Sequence, residues 1–219
     1  MVSSSEEKNK FKILSIDGGG VKGLYSATIL KEFEQTLRSE KGDDKRIVDY
    51  FDLICGTSTG GLIALALSLR IPTETICAFY EIHGPKIFRY SDGLIPLLRQ
   101  TLFRGKYSDK KMKIALKEIF NEKKIGESEC LLCIPTYDFT QGTYEIFKFD
   151  HPEGRLKRDN VLSAIDVALA TSAAPTYFPI AEVELHNHKQ YVDGGVWANN
   201  PSVIGFTEAI RHFVGNDKE

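Results

Sequence analysis

The chain has 219 residues, enough for one domain with a substantial hydrophobic core. Its hydrophobic content of 42% and charged content of 26% are those of an ordinary soluble globular protein. A net charge of −2 gives no electrostatic reason to expect nucleic acid or an anionic membrane as the main partner. The longest apolar run, GLIALALSLRI, is well short of the roughly 20 residues that a membrane-spanning helix needs.

The first ten residues, MVSSSEEKNK, contain no apolar segment of the kind found in signal peptides. We therefore expect a polar tail over residues 1–10, a single domain over residues 11–219 and a cytoplasmic location. The sequence contains no internal repeat, linker or low-complexity stretch that would divide it further.

Short apolar runs alternate with helical patterns along the chain. The strand FKILSID precedes a glycine-rich loop and a helix over Leu24–Arg38, and the strand YFDLICG precedes the apolar helix TGGLIALALSL. The next predicted elements are the helix PTETICAFYEIHGPKIF, an irregular stretch over 90–107 and the helix DKKMKIALKEIF, which is capped by Ser108. They are followed by the strands CLLCIPTYDF and TYEIFKF, which are joined by a turn at Gln141 and Gly142. The last predicted elements are the helix NVLSAIDVALATSAAP, opened by Asn160 and stopped by Pro175, the strand KQYVDGG and the helix PSVIGFTEAIRHF. This alternation predicts an α/β fold with a largely parallel sheet.

The loop KILSIDGGGVKG admits two functions. Gly18, Gly20 and Gly23 satisfy the dinucleotide pattern G-x-G-x-x-G between a strand and a helix. That pattern also needs an acidic residue at the end of the next strand, but this strand ends at Gly56 and its acid, Asp52, lies near its beginning. No G-K-[ST] sequence closes the loop as in a P-loop. Nucleotide binding and a purely structural turn are therefore the weaker alternatives.

The sequence GTSTG, Gly56 to Gly60, matches the nucleophile elbow G-x-S-x-G in its expected context of strand, sharp turn and helix. This turn would expose Ser58 Oγ at the carboxyl edge of the sheet, beside the positive N-terminus of the following helix. The alternative is a glycine-rich turn whose serine has no catalytic role. We predict that Ser58 is a nucleophile.

A serine nucleophile explains the glycine loop. Its tetrahedral oxyanion needs fixed N–H donors, each typically contributing about 3 kcal/mol of transition-state stabilisation. Two strand-to-helix turns on adjacent parallel strands bring Gly18, Gly19 and Gly20 beside Ser58, and we predict that this loop forms the oxyanion hole.

The nucleophile also needs a base. None of the five histidines lies in a loop after a strand; they are His83 at a helix end, His151 in a turn, His186 and His188 at an expected exposed hairpin tip, and His212 in the last helix. Asp193 in YVDGGVWANNP is the better candidate, because it ends a short strand before two glycines, and partial desolvation would raise its pKa. A Ser–Asp–His triad with His212 stays open as an alternative.

The chain has four cysteines. Cys130 and Cys133 form a CxxC motif without a second pair, in a predicted buried strand, and Cys55 and Cys77 have apolar neighbours. We expect buried reduced thiols and no metal site.

The motifs DGGGVKG, GTSTGG and DGGVWANNP, in this order, together with ATSAAPTYFP, resemble the patatin-like phospholipase family over Lys12–Phe206. The resemblance implies a three-layer α/β/α sandwich with a mainly parallel sheet, a catalytic dyad of Ser58 and Asp193, and an oxyanion hole from the glycine loop. Supporting motif positions would be Asp17, Lys22, Gly23, Gly56, Gly60, Gly194 and Gly195.

Family members hydrolyse acyl esters of phospholipids, galactolipids or acylglycerols without calcium. The resemblance therefore implies a lipid acyl hydrolase of phospholipase A type, with an acyl lipid as substrate and no cofactor or metal. We expect peripheral membrane contact through Tyr90–Tyr107, which mixes leucines and Phe103 with basic residues. Rival functions are a triad esterase of small soluble esters and a nucleotide-binding or non-catalytic module. Many family members continue well beyond the third motif, so this chain is either a compact member or a catalytic fragment.

Overall fold

The computed structural model describes residues 10–87, 105–175 and 177–215. The strands are β1 (Ile13–Ile16), β2 (Leu53–Gly56), β3 (Leu131–Asp138), β4 (Thr143–Lys148), β5 (Ala181–Val183) and β6 (Lys189–Asp193). The helices are α1 (Gly23–Lys41), α2 (Thr59–Ser68), α3 (Thr73–Ile87), α4 (Gly105–Phe120), α5 (Ala164–Ser172), α6 (Gly195–Ala198) and α7 (Ser202–His212). Among these described residues, no helix is both long enough and apolar enough to cross a bilayer.

The described residues form one sheet of six strands in the order β1-β2-β3-β6-β5, with β4 also paired to β3. Strands β1, β2 and β3 are parallel to one another. Strands β4 and β6 are antiparallel to β3, and β5 is antiparallel to β6. Strands β1, β2, β3 and β5 therefore run in the same direction, which confirms the predicted α/β fold with a mainly parallel sheet.

Strand β3 brings the carboxyl ends of strands β2 and β6 together. Its pairing with β2 covers Leu131–Cys133, and its pairing with β6 covers Thr136–Asp138. Because β4 pairs with β3 over Cys133–Asp138, which overlaps both of these stretches, β2 and β6 must share the opposite edge of β3. They run in opposite directions along that edge, so their carboxyl ends face each other. The residues that directly follow β2, Ser58 among them, therefore lie opposite the end of β6.

Helices cover both faces of the sheet. Helix α7 packs on β1 and β2, and α2 and α5 pack on the other face, with α1, α3 and α4 around them. Close approach of α7 depends on Gly205, where a Cβ would lie 2.6 Å from Cys55 Sγ. These layers confirm the predicted three-layer α/β/α sandwich.

Two predicted helix starts are wrong. Helix α4 begins at Gly105, so Ser108 lies inside it, because Lys106 and Tyr107 are compatible with helix and extend it towards the N-terminus. Helix α5 begins at Ala164, and its cap is Ser163, whose hydroxyl accepts a hydrogen bond from Ile165 N–H at 3.1 Å.

Asn160 is engaged elsewhere, since its Oδ1 accepts a hydrogen bond from Asp150 N–H at 2.9 Å. Helix α5 stops at Ser172, ahead of Pro175 as predicted. Most of the stretch predicted to be irregular, 90–104, lies outside the described residues, and 105–107 are helical rather than irregular.

The cysteines are free, and Cys55, Cys77 and Cys133 are buried as predicted. Cys130 is half-buried, and desolvation raises the pKa of its thiol to about 12. This thiol is therefore protonated at neutral pH and a poor nucleophile.

Candidate active site

The turn after β2 holds Ser58 in a conformation that few residues adopt. Ser58 has φ 55° and ψ −123°, directly before the first residue of α2. Glycines on both sides are needed because the backbone is crowded there. A Cβ at Gly56 would clash with the carbonyl of Gly60, and a Cβ at Gly60 would clash with the carbonyl of Ile16. The G-x-S-x-G pattern thus forms the sharp turn that the sequence predicted.

Ser58 and Asp193 meet in this site. Ser58 Oγ donates a hydrogen bond to Asp193 Oδ2 at 2.6 Å. Asp193 is the last residue of β6 and is buried, and its Oδ1 accepts a hydrogen bond from Gly195 N–H at 2.6 Å. Both carboxylate oxygens are therefore engaged, and one of them is aimed at the serine hydroxyl.

Burial sets the basicity of this carboxylate. Desolvation raises the pKa of Asp193 above its ordinary value, and the hydrogen bonds from Ser58 and Gly195 partly oppose that rise. A carboxylate with a raised pKa is a better proton acceptor than an exposed one.

Thr171, for which the sequence predicted no role, links the two turns. Ser58 N–H donates to Thr171 Oγ1 at 3.0 Å, and this hydroxyl donates to Pro135 O at 2.7 Å. Gly194 N–H, next to Asp193, donates to Thr171 O at 3.2 Å. Its position in the segment ATSAAPTYFP was the only sequence signal for this residue.

Asn199, also missed, joins the glycine loop to the turn after α6. Gly18 N–H donates to Asn199 O at 3.0 Å, and Asn199 Nδ2 donates to Gly18 O at 3.4 Å. A Cβ at Gly18 would lie 2.5 Å from Asn199 Oδ1 and 3.3 Å from Ser58 Cβ. The Asn199 amide therefore lies beside the serine, and residue 18 has no space for a side chain.

The three glycines predicted to form an oxyanion hole differ in whether their N–H groups already bond to an acceptor within the chain. Gly18 N–H is bonded to Asn199 O, and Gly19 N–H donates to Thr59 Oγ1 at 3.1 Å. Gly20 N–H has no acceptor among the residues that the structure describes, and Gly20 has φ 58° with open space where a side chain would stand. Gly20 is thus the glycine of this loop with a free donor.

The other motif positions support the backbone around these groups. Gly23 lies against Tyr80, whose hydroxyl donates to Thr59 O at 2.9 Å, and a Cβ at Gly23 would be 2.8 Å from the Tyr80 ring. Gly194 lies too close to the carbonyl of Pro135 to carry a side chain. Asp17 and Lys22 are exposed at the two ends of the glycine loop.

His212 lies at the opposite edge of the sheet from Ser58. Its ring contacts that of His151 at 5.2 Å, and the next residue, Phe213, stacks on Phe11 at 5.4 Å. Phe11 precedes β1, so this group marks the amino-terminal edge of the parallel strands, whereas Ser58 follows the carboxyl end of β2. The structure does not bring His212 to the predicted nucleophile.

The other histidines are bonded elsewhere: His83 to Glu118, His151 to Glu208, His186 to Tyr191 and His188 to Glu182. His188 is exposed as predicted. The prediction that His186 is exposed is wrong. A 3-10 turn over Glu184–His186 folds its ring onto Phe147 at 5.5 Å, where it bonds the Tyr191 hydroxyl.

An apolar cleft of about 590 Å³ adjoins the end of β6. Its walls include Val192, which precedes Asp193, and Ala173, whose carbonyl accepts a hydrogen bond from Asp193 N–H at 3.0 Å. Trp197 also lines the cleft, and its indole N–H donates to Thr136 O at 2.9 Å. A hydrocarbon surface therefore lies beside the backbone at the end of β6, although the side chains of Ser58 and Asp193 do not line it.

Comparison with known proteins gives consistent matches. The model of the patatin-like phospholipase family matches residues 14–204. Patatin-like protein 2 of Oryza sativa subsp. indica is 36% identical, over 99% of this chain and 57% of the relative. The cGAMP-activated phospholipases of Vibrio cholerae and Pseudomonas aeruginosa are 37% and 35% identical, over 93% and 90% of this chain and 59% and 56% of their own lengths.

Among solved structures, VipD from Legionella pneumophila has a TM-score of 0.50 at 14% identity, over 85% of this chain and 46% of that chain, which shows a shared fold alone. The chain spans a little more than half the length of the curated relatives named above. The family model covers every motif from the glycine loop to the turn after β6. The chain belongs to the patatin-like phospholipase family, as its motifs predicted.

Proposed function

We propose that this chain is a lipid acyl hydrolase of phospholipase A type, which cleaves fatty acyl esters through a Ser58–Asp193 dyad. The observation that carries the proposal is the 2.6 Å hydrogen bond from Ser58 Oγ to Asp193 Oδ2. The phospholipase relatives support a phospholipid as the acyl ester.

The proposed reaction has two steps. Asp193 accepts the hydroxyl proton as Ser58 Oγ attacks the ester carbonyl, and the tetrahedral intermediate then expels the alcohol, which takes that proton from Asp193. This leaves an acyl group on Ser58. Asp193 next deprotonates a water molecule that attacks the acyl-enzyme, and the proton returns to Ser58 as the fatty acid leaves.

The surroundings of the dyad fit these steps. The raised pKa of Asp193 makes it a stronger base, and Gly195 N–H fixes the oxygen that does not face the serine. The free N–H of Gly20 and the N-terminus of α2 can stabilise the oxyanion. None of these steps uses a cofactor or metal.

An acyl lipid also needs a hydrocarbon path to the dyad. The apolar cleft at the end of β6, which is lined by Val192 and Ala173, supports binding of an acyl chain near the dyad. We further propose peripheral membrane contact through Tyr90–Tyr107, most of which lies outside the described residues, together with a cytoplasmic location. The larger hydrophobic cluster, whose members run from Ile16 of β1 to Tyr191 of β6, supports a single domain over residues 11–219.

The rival functions have less support. A triad esterase would need a histidine beside Asp193, and His212 lies at the other edge of the sheet. A dinucleotide cradle would need free N–H groups, but those of Gly18 and Gly19 bond to acceptors within the chain.

The purified chain can be tested with phosphatidylcholine vesicles and with a fluorescent fluorophosphonate. We expect fatty acid release and covalent labelling by wild type, and neither by Ser58→Ala, which should fold normally. Ser39→Ala, at an exposed serine of α1, is the matched control and should behave as wild type. Labelling and hydrolysis by Ser58→Ala at the wild-type level would refute the proposal.

A further inference from the structure

We propose that Thr171 is a positioning residue that fixes Ser58 relative to Asp193. Its role in the reaction rests on the proposed function above. Thr171 is a buried residue in the last turn of α5 and bonds to both functional turns, although neither its hydroxyl nor its carbonyl bonds to Ser58 Oγ or to the Asp193 carboxylate. It therefore acts through the backbone.

The Thr171 hydroxyl is the acceptor for the elbow. Ser58 N–H donates to it at 3.0 Å, and the hydroxyl hydrogen is directed to Pro135 O at 2.7 Å. That second bond fixes the hydroxyl so that its lone pairs face Ser58 N–H. The side chain of residue 171 thereby connects the elbow to β3.

The Thr171 carbonyl holds the other turn. It accepts the hydrogen bond from Gly194 N–H at 3.2 Å, and Asp193 immediately precedes Gly194. One residue thus sets the backbone position of both the proposed nucleophile and the proposed base. The short distance between Ser58 Oγ and Asp193 Oδ2 depends on both anchors.

Ser58 needs such an anchor because its φ of 55° is unfavourable for a residue with a side chain. Removing the acceptor would leave its N–H without a partner in a half-buried position and allow the elbow to relax. Thr171 itself has little freedom, since a Cβ at Gly61 of α2 would lie 2.8 Å from Thr171 Cγ2. A side chain packed this tightly is suited to hold the elbow in place.

The hydrogen bond from Ser58 N–H to Thr171 Oγ1 also limits which groups can stabilise the oxyanion. Because Ser58 N–H is directed to Thr171 Oγ1, that N–H is not available to the substrate oxygen. The oxyanion donors must therefore come from other backbone groups, among which the Gly20 N–H is free.

The test compares Thr171→Val, which removes the hydroxyl at nearly constant shape, with Thr171→Ser, which retains it. Ser172→Ala is the matched control, because Ser172 is a buried neighbour on α5 whose hydroxyl donates only to Ala168 O. Turnover of a soluble short-chain ester is expressed per active site titrated with fluorophosphonate, so that unfolded molecules are not counted.

We expect the kcat of Thr171→Val to fall about 100-fold, with KM changed by less than about twofold, because a small displacement of the reacting groups acts on the chemical step. Thr171→Ser should retain most of the wild-type kcat, and Ser172→Ala all of it. A merely structural role for Thr171 would lower the titrated fraction and leave the kcat per site unchanged, which would overturn the proposal. If Thr171→Val does not fold, Thr171→Ala takes its place against Thr171→Ser.

A second readout does not depend on catalysis. Hydrogen exchange of the Ser58 amide, followed by NMR, should be about tenfold or more faster in Thr171→Val than in wild type and unchanged in Ser172→Ala. Unchanged exchange in Thr171→Val would overturn the positioning role. If wild type hydrolyses no acyl ester, the proposed function fails, and the exchange experiment still decides whether Thr171 fixes the elbow.

Discussion

Ser58 Oγ and Asp193 Oδ2 lie 2.6 Å apart, although 135 positions separate the two residues in the chain. The sheet produces this proximity, because β2 and β6 occupy the same edge of β3 and their carboxyl ends face each other. Asp193 is itself paired with Thr136 of β3. Asp193 is therefore held within a strand and Ser58 in the tight turn between β2 and α2, which limits how far they can move apart.

The first prediction concerns the pH dependence of hydrolysis. Asp193 must be ionised to accept the Ser58 proton, and burial raises its pKa. The kcat/KM for a soluble ester should therefore be lost as the pH falls, with an apparent pKa above the ordinary aspartate value of about 4. A pH–rate profile of wild type measures this, and full activity retained below about pH 4 would contradict it.

The second prediction is that Asp193→Asn is inactive but more stable at neutral pH. Loss of the base should reduce kcat by about 100- to 10,000-fold. Because the folded-state pKa of Asp193 is raised, its contribution to stability is fully present below the unfolded-state pKa and is lost as the pH rises through the folded-state pKa. The asparagine side chain of the variant does not ionise and avoids that loss.

Melting curves of the two proteins from neutral to acid pH provide the measurement. The Tm advantage of Asp193→Asn should shrink as the pH falls through the raised folded-state pKa and should be lost below about pH 4, where Asp193 of wild type is protonated in both states. An advantage that grew in acid would contradict the assignment of the raised pKa to Asp193.

Much of the site could be predicted because its functional residues lie in short contiguous sequence motifs. The turn around Ser58 needs glycines at positions 56 and 60 for purely local steric reasons, and Asp193 is marked by the end of a strand before two glycines. Each of these signals requires only neighbouring residues. The α/β fold followed in the same way from the alternation of strands and helices.

The links between motifs could not be predicted, since they join residues far apart in the chain. Thr171 reaches Ser58 across 113 positions, and Asn199 reaches Gly18 across 181. Nothing in the local pattern distinguishes a threonine that accepts such a bond from an ordinary helical one. The burial of His186 was missed because its ring packs on Phe147 of β4, which is distant in the sequence.

The third prediction distinguishes the glycines of the loop. Gly20 has φ 58°, so Gly20→Ala should cost about 1–2 kcal/mol of backbone strain and displace the free N–H. The expected result is a fall in kcat of about 100-fold with little change in KM, since the oxyanion exists only in the transition state.

Gly19→Ala is the comparison. A Cβ there would lie 3.4 Å from Lys22 Cβ, which is an ordinary contact, so the fall in kcat should be clearly smaller. The kcat of the two variants is measured by steady-state kinetics on a soluble ester. A larger fall in kcat in Gly19→Ala than in Gly20→Ala would argue against Gly20 as the oxyanion donor. A thermal shift with dinucleotides that Gly20→Ala abolishes would favour the nucleotide alternative.

The fourth prediction is that His212→Ala retains wild-type kcat. His212 lies at the end of α7 against His151, at the edge of the sheet opposite Ser58. Its loss should reduce stability by less than about 1 kcal/mol, through packing and its position at a helix C-terminus. An inactive His212→Ala variant with a normal melting curve, together with an active Asp193→Asn variant, would establish the triad instead.

The last prediction addresses how the chain reaches lipid. Tyr90–Tyr107 contains Leu102 and Phe103 among basic residues, and burial of such side chains in a bilayer contributes about 25 cal/mol per Å². Replacing both with Ser should reduce hydrolysis of phospholipid vesicles while a monomeric short-chain ester is cleaved at the original rate. Ile114→Ser, at an exposed apolar residue of α4, is the control and should change neither rate. Equal losses on both substrates, or a lowered Tm, would mean that Leu102 and Phe103 belong to the protein core.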